Sequence, residues 1–155
     1  MLEMVWQSKA LIQWYALLGL IALALWKGGG PERGIAGTFL FVLVGDRLYH
    51  WAFGAGTTWL SVDLGHFLID AIALAMFASI ALRANRVYPL WLASFQLMTV
   101  ISHPVRAINP RTVEGVYAIL NYAPSYLELL VFGLGIVAHL RRQARFGPYR
   151  SWQSC

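Results

Sequence analysis

The stretch VDLGHFLIDAIALAMFASIAL, residues 62–82, decides the fold. An α-helix needs about 20 residues to cross the hydrocarbon core of a bilayer, and this stretch has that length. Its ionisable groups lie near the start, and the run from Ala71 to Leu82 carries no charge. The basic turn Arg83-Ala84-Asn85-Arg86 follows directly. The pattern predicts a transmembrane helix that ends in a basic turn.

Four further apolar runs surround this stretch, at about 8–26, 35–53, 87–105 and 113–140. Turns that contain glycine, proline or basic residues separate most of the runs. Hydrophobic residues make up 59% of the 155-residue chain and charged residues 12%, whereas soluble domains carry about 25% charged residues. The sequence therefore predicts an all-α, polytopic transmembrane helix bundle, with residues 1–155 as one domain and 62–82 as its third span.

Run 35–53 is the least certain span, because Asp46 and Arg47 are costly inside hydrocarbon. With five spans, Lys9, Arg106 and Arg111 lie on one side and eight basic residues on the other. These eight are Lys27, Arg33, Arg83, Arg86, Arg141, Arg142, Arg145 and Arg150. Basic residues stay cytoplasmic, so this topology puts the N-terminus outside and the C-terminus inside. A four-span alternative that omits run 35–53 distributes the basic residues almost evenly between the two sides. Because the five-span topology keeps a clear excess of basic residues on one side, we favour five spans.

The five-span topology brings scattered polar residues to similar depths near the outer face. These are His50, His66, His103, Asp46, Asp63 and, somewhat deeper, Asp70. Asp46 and His50 are four residues apart and share a helix face, and Asp63, His66 and Asp70 form a second stripe. The three histidines are candidate ligands for Zn²⁺, Fe²⁺ or Mn²⁺, with the aspartates as ligands, orienting groups or bases.

Two other interpretations of these residues stay open. The first, which we favour on sequence alone, is a hydrogen-bonded network that holds helices together. The second is haem bound between His50 and His66 or between His66 and His103. Haem ranks below a metal ion, because acidic neighbours suit a porphyrin pocket poorly.

Glu128 is a fourth candidate catalytic acid, beside Asp46, Asp63 and Asp70. It lies near the middle of the fifth span, about one turn after Pro124. Such an acid can relay protons together with Asp70. The interpretation that we favour is a structural one, in which a protonated Glu128 is hydrogen-bonded to Gln96 or Tyr126.

The run from Asp63 to His103, which includes RANRVYPLW at 83–91, resembles small multi-span bacterial inner-membrane proteins of unassigned activity. The resemblance implies a multi-pass protein of the bacterial inner membrane and brings no reaction with it. No basic, aromatic groove indicates nucleic-acid binding, and the single cysteine, Cys155, excludes an intrachain disulfide. The partners expected are the lipid bilayer and either a membrane-protein partner or a second copy of the chain.

Three classes of function remain, so the sequence leaves open whether the chain is an enzyme. The favoured one is a non-enzymatic component or accessory subunit of a membrane complex. The second is a metal-dependent membrane enzyme that acts on a lipid or other apolar substrate through the His/Asp cluster. The third is a small proton-coupled transporter that uses Asp70 and Glu128.

Overall fold

Five α-helices make up the described chain, as the apolar runs predict. The computed structural model describes the backbone of residues 2–54, 64–108 and 114–153, and the side chains of residues 11–54, 64–105 and 123–153. The helices are α1 (Leu2–Lys27), α2 (Gly30–Phe53), α3 (Leu64–Arg83), α4 (Tyr88–Ile108) and α5 (Glu114–Phe146). Within these ranges the only β pairing is one isolated bridge. The all-helical prediction is confirmed, and Asp63 lies outside the described residues.

The helices extend beyond the apolar runs where local chemistry supports them. Helix α2 starts at Gly30, because Pro31 suits a first helical turn and the Glu32 carboxylate accepts a hydrogen bond from the Gly29 N–H at 3.1 Å. Helix α4 continues through Pro104 to Ile108, slightly beyond the predicted run 87–105. A proline inside a helix removes one backbone hydrogen bond and can bend the helix without ending it.

The helices pack as a closed ring around an aromatic centre. Each helix contacts the next along the chain, α1 also contacts α5, and α2 contacts α5 across the bundle. The Phe39 ring lies 5.3 Å from that of Phe77 and 5.2 Å from that of Phe132, measured between centroids. All three side chains are buried, so they join α2, α3 and α5 near the middle of the bundle.

The two ends of the bundle differ in their polar residues. Helices α1, α3 and α5 finish at one end, where α2 and α4 begin; we call it the basic end. Helices α2 and α4 finish at the opposite end, where α3 begins; we call it the histidine end, because His50, His66 and His103 lie there. Both ends contain side-chain networks that cross between helices.

Two described segments are long and apolar enough to cross a membrane, namely Leu64–Arg83 and Ala123–Phe146. The described apolar part of α1, Leu11–Lys27, is shorter. Helix α2 carries Asp46, Arg47 and His50 in its second half, which lowers its hydropathy. The fold is therefore a five-helix bundle with two segments suited to a membrane by length and composition.

Candidate metal centre

The centre begins with two residues one turn apart on α2. Asp46 and His50 are four positions apart, so both side chains lie on the same face of the helix. The Nε2 atom of His50 lies 3.5 Å from Asp46 Oδ1. Both side chains are about one-third exposed, so they lie at the edge of the bundle and within reach of a small solute.

Helix α3 adds the third residue, His66. Its Nε2 atom is 3.0 Å from the same oxygen, Asp46 Oδ1, and the His50 and His66 rings lie 5.0 Å apart between centroids. The Tyr49 ring packs edge-on against His66 with a centroid separation of 4.9 Å. Residue 65 is glycine, and a Cβ there would collide with the Tyr49 ring. Gly65 thus permits the close approach of α2 and α3 that brings His66 to Asp46.

The three side chains form what we call the Asp46 triad: Asp46, His50 and His66. One oxygen and two imidazole nitrogens lie within 4.8 Å of one another, so one ion can contact all three. The Nε2 atoms of both histidines point at the same carboxylate oxygen, His66 at hydrogen-bond distance and His50 at 3.5 Å, so a cation placed among the three would contact all of them. Two histidines and one carboxylate are a ligand set for non-haem Fe²⁺, and a similar set binds catalytic Zn²⁺.

Haem fits this arrangement less well than a single ion. The two imidazole nitrogens that would have to flank the iron both contact Asp46 Oδ1. The carboxylate therefore occupies the space that a porphyrin plane needs between two axial histidines. The donor set suits a small divalent cation.

His103 lies in a separate group with Asp70. Its Nε2 atom is 2.9 Å from Asp70 Oδ2, while the amide of Gln96 donates to Asp70 Oδ1 at 3.0 Å and to the Asp70 backbone carbonyl at 3.2 Å. We call these three residues the Asp70 group. The sequence predicted three histidines at one depth, and the structure brings His50 and His66 together around Asp46 and pairs His103 with Asp70. The rotation of α4 about its own axis decides this division, and spacing alone does not give it.

A cavity of about 380 Å³ connects the triad to the Asp70 group. Asp46, His66 and Asp70 lie on its wall, and α1, α2, α3 and α5 enclose it. Its apolar lining consists of Trp14, Leu17, Val42, Leu43 and Ile69. On the remaining side Gln13 donates a hydrogen bond to Ser125 Oγ at 3.1 Å, which joins α1 to α5. The cavity thus combines apolar walls with carboxylate and imidazole groups.

Glu128 is buried in α5, with 6% of its surface exposed. Its Oε1 atom has no hydrogen-bond partner among the described residues. The sequence suggested Gln96 or Tyr126 as its hydrogen-bond partner. In the structure, Gln96 donates to Asp70 and Tyr126 is exposed. Glu128 therefore differs from the other candidate acids Asp46 and Asp70, both of which have histidine partners.

Sequence reasoning missed a buried ion pair at the basic end. Arg86 NH1 lies 2.9 Å from Glu32 Oε1, and Glu32 is fully buried. The Tyr88 hydroxyl donates to the same oxygen at 3.0 Å, and His139 Nδ1 lies 3.8 Å from Oε2. The sequence predicts only a basic turn at Arg83–Arg86 and no partner for Arg86. The sequence did hold one signal for this pair: Glu32 is the only acidic residue that the five-span topology places at the basic end, beside eight basic residues.

The tail after α5 covers this ion pair. The His139 Nδ1 atom lies 2.8 Å from the Tyr149 hydroxyl, and the Tyr149 ring lies 5.0 Å from the Arg86 guanidinium. Trp152 forms the isolated bridge with Ala84.

Comparisons of the chain with family models, curated proteins and solved structures gave no match.

Proposed function

We propose that this chain is a membrane-embedded helix bundle that binds one divalent transition-metal ion through Asp46, His50 and His66, and that the ion acts on an apolar substrate. One observation carries the proposal. Ligand atoms from two helices converge within 4.8 Å, and two of the three residues, Asp46 and His66, line a cavity with apolar walls. A purely structural polar contact needs no such cavity beside it.

The number and type of ligands support a catalytic rather than a structural metal. Structural zinc sites are closed by four protein ligands, whereas catalytic sites use three and leave a position for water or substrate. The triad supplies three ligands, and their partial exposure leaves room for a fourth. Zn²⁺, Fe²⁺ and Mn²⁺ all accept imidazole and carboxylate donors. Bound there, the ion would supply an activated water for hydrolysis or a site for oxygen chemistry.

The cavity supports an apolar substrate such as a lipid chain. Ligand sites are mostly apolar with a few polar groups that fix orientation, and this cavity has both. Asp70 lies on the wall, and its two oxygens are held by Gln96 and His103. This geometry suits Asp70 to orient a polar part of the substrate or to exchange a proton through His103.

A membrane location supports the same function. Large apolar side chains are exposed on all five helices, among them Ile12, Trp51, Leu68, Trp91 and Leu134. Soluble monomers rarely expose contiguous apolar patches larger than about 600 Å². We therefore propose five spans in the bacterial inner membrane, with the basic end cytoplasmic and the histidine end outside.

The test is the metal content of the detergent-purified protein, measured by elemental analysis together with an absorption spectrum for haem. The proposal expects about one Zn, Fe or Mn per chain and no haem absorption. His66→Ala and His50→Ala should each lower that content severalfold. His103→Ala is the matched control, since His103 is also a histidine paired with an aspartate at the same end. A metal-free wild type, purified without chelators, or an equal loss in all three variants would overturn the proposal.

A structural role is the second candidate function, because Asp46 Oδ1 lies within 3.5 Å of an imidazole nitrogen of both His50 and His66, and this contact joins the two helices without a metal. Such a network would join α2 to α3 in a non-enzymatic subunit of a membrane complex. This candidate predicts no stoichiometric metal, and it predicts that Asp46→Asn destabilises the protein. The same elemental analysis therefore separates the two functions.

A further inference from the structure

A second cavity, of about 440 Å³, opens at the basic end. It lies between the turn from α1 to α2, the last turns of α5 and the tail that follows. Its polar lining consists of Lys27, Arg33, His139, Gln143, Tyr149 and Ser151. All of these side chains are cationic or carry hydrogen-bond donors, and no carboxylate lines the cavity.

The positive charge of this cavity is not neutralised from within the described chain. Lys27 and Arg33 are exposed, and neither forms an ion pair with a described carboxylate. Glu32 does not line the cavity: its Oε1 atom pairs with the buried Arg86. Its Oε2 atom lies behind the cavity wall, where it accepts a hydrogen bond from the Gly29 N–H and lies 3.8 Å from His139 Nδ1. Since Arg86 offsets the charge of Glu32, Lys27 and Arg33 leave the cavity with a net positive charge. The cavity therefore holds a positive potential that favours an anion.

Glycine at position 29 allows the cavity walls to meet at this turn. A Cβ on Gly29 would lie 2.8 Å from Ser151 Oγ and 3.1 Å from the Cε1 atom of His139. The turn can thus lie against α5 and the tail without closing the space between them. The same approach brings Ser151 and His139, from the tail and α5, into one lining with Lys27 and Arg33.

We propose that this cavity binds a phosphate group, either free phosphate or the headgroup of an anionic phospholipid. A guanidinium offers a fork of donors, an ammonium offers a point charge, and hydroxyl and imidazole groups complete the coordination of a tetrahedral anion. Basic pockets between helices at the cytoplasmic side of membrane proteins bind lipid headgroups in this way. The proposal does not depend on the metal site at the opposite end, and only the lipid source depends on a membrane location.

The experiment measures retained phosphatidylglycerol by native mass spectrometry of the full chain, released from micelles that also contain phosphatidylcholine. A parallel titration follows inorganic phosphate by ³¹P NMR line broadening, with phosphatidylcholine as the only lipid. The test variant is Lys27→Gln/Arg33→Gln. The matched control, Arg141→Gln/Arg145→Gln, removes the same charge from exposed residues of α5 that do not line the cavity. A thermal unfolding curve of each variant checks folding, and the single variants replace the double variant if it unfolds.

The wild type and the control should retain phosphatidylglycerol in preference to phosphatidylcholine. Each cation near a membrane surface contributes about fivefold to anionic-lipid affinity, so the test variant, which lacks two, should bind roughly twenty-five-fold more weakly. Loss of phosphatidylglycerol alone assigns the site to a lipid headgroup, and a parallel loss of phosphate broadening assigns it to free phosphate as well. Equal weakening in both double variants would show binding by diffuse surface charge alone. No weakening in the test variant would show that Lys27 and Arg33 do not bind the phosphate group. Either result would overturn the proposal.

Discussion

Removing Arg86 should destabilise the bundle more than removing any other basic residue of its turn. Arg86 and Glu32 lie 2.9 Å apart, with side-chain exposures of 5% and 0%. At an effective dielectric constant of about 20, unit charges at that distance attract by roughly 6 kcal/mol. Desolvation offsets much of this attraction, yet removing one partner leaves the other charge buried, which costs about 3–5 kcal/mol. Arg86→Met should therefore lose about that much stability.

The assay is thermal or denaturant unfolding in detergent, followed by circular dichroism. Each kcal/mol shifts the midpoint by about 2–4 °C in a chain of this size, so the expected fall is roughly 6–20 °C. Glu32→Gln/Arg86→Met should recover most of the loss, because the double change leaves no buried charge. Arg83→Met, an exposed cation of the same turn, is the control and should change stability by less than about 0.5 kcal/mol. If Arg86→Met behaves like Arg83→Met, the ion pair does not hold this end together.

Three further predictions follow from other parts of the bundle. Phe39→Ala should cost about 3–5 kcal/mol in the same unfolding assay, because it removes ring contacts with α3 and α5; a loss below about 1 kcal/mol would contradict the aromatic centre. Gly65→Ala should displace Tyr49 and weaken metal binding about tenfold, as changes beside metal ligands do, whereas Gly37→Ala, where a Cβ has open space, should not. Reporter fusions should find the N-terminus outside and the C-terminus in the cytoplasm, and termini on one side would refute five spans.

The number of helices and their approximate positions could be predicted from the sequence, because apolar runs and glycine or proline turns are local signals. Their ends were less predictable. Helix α4 passes Pro104, since one missing backbone hydrogen bond is tolerated when the rest of the helix is packed. Helix α5 extends through the arginines after Leu140 to Phe146, where a hydropathy pattern stops but helical hydrogen bonding continues.

Of the candidate site, the sequence could predict contacts within one helix but not contacts between helices. Asp46 and His50 share a face by helical spacing, so their proximity follows from α2 alone. His66 joins them because α3 packs closely at Gly65, and His103 pairs with Asp70 because of how α4 is rotated. The Glu32–Arg86 pair joins residues 54 positions apart in sequence. Such contacts depend on helix rotation and packing, which one sequence does not specify by pattern.

X-ray absorption at the metal edge tests the central claim most directly, because it counts the ligands of the bound ion. For the protein loaded with Zn²⁺, we expect nitrogen and oxygen neighbours at about 2.0–2.1 Å and the multiple-scattering pattern of two imidazoles. His66→Ala should leave one imidazole, and His103→Ala should leave two. A wild-type spectrum without imidazole scattering, or one whose imidazole count falls in His103→Ala, would contradict a site built from Asp46, His50 and His66.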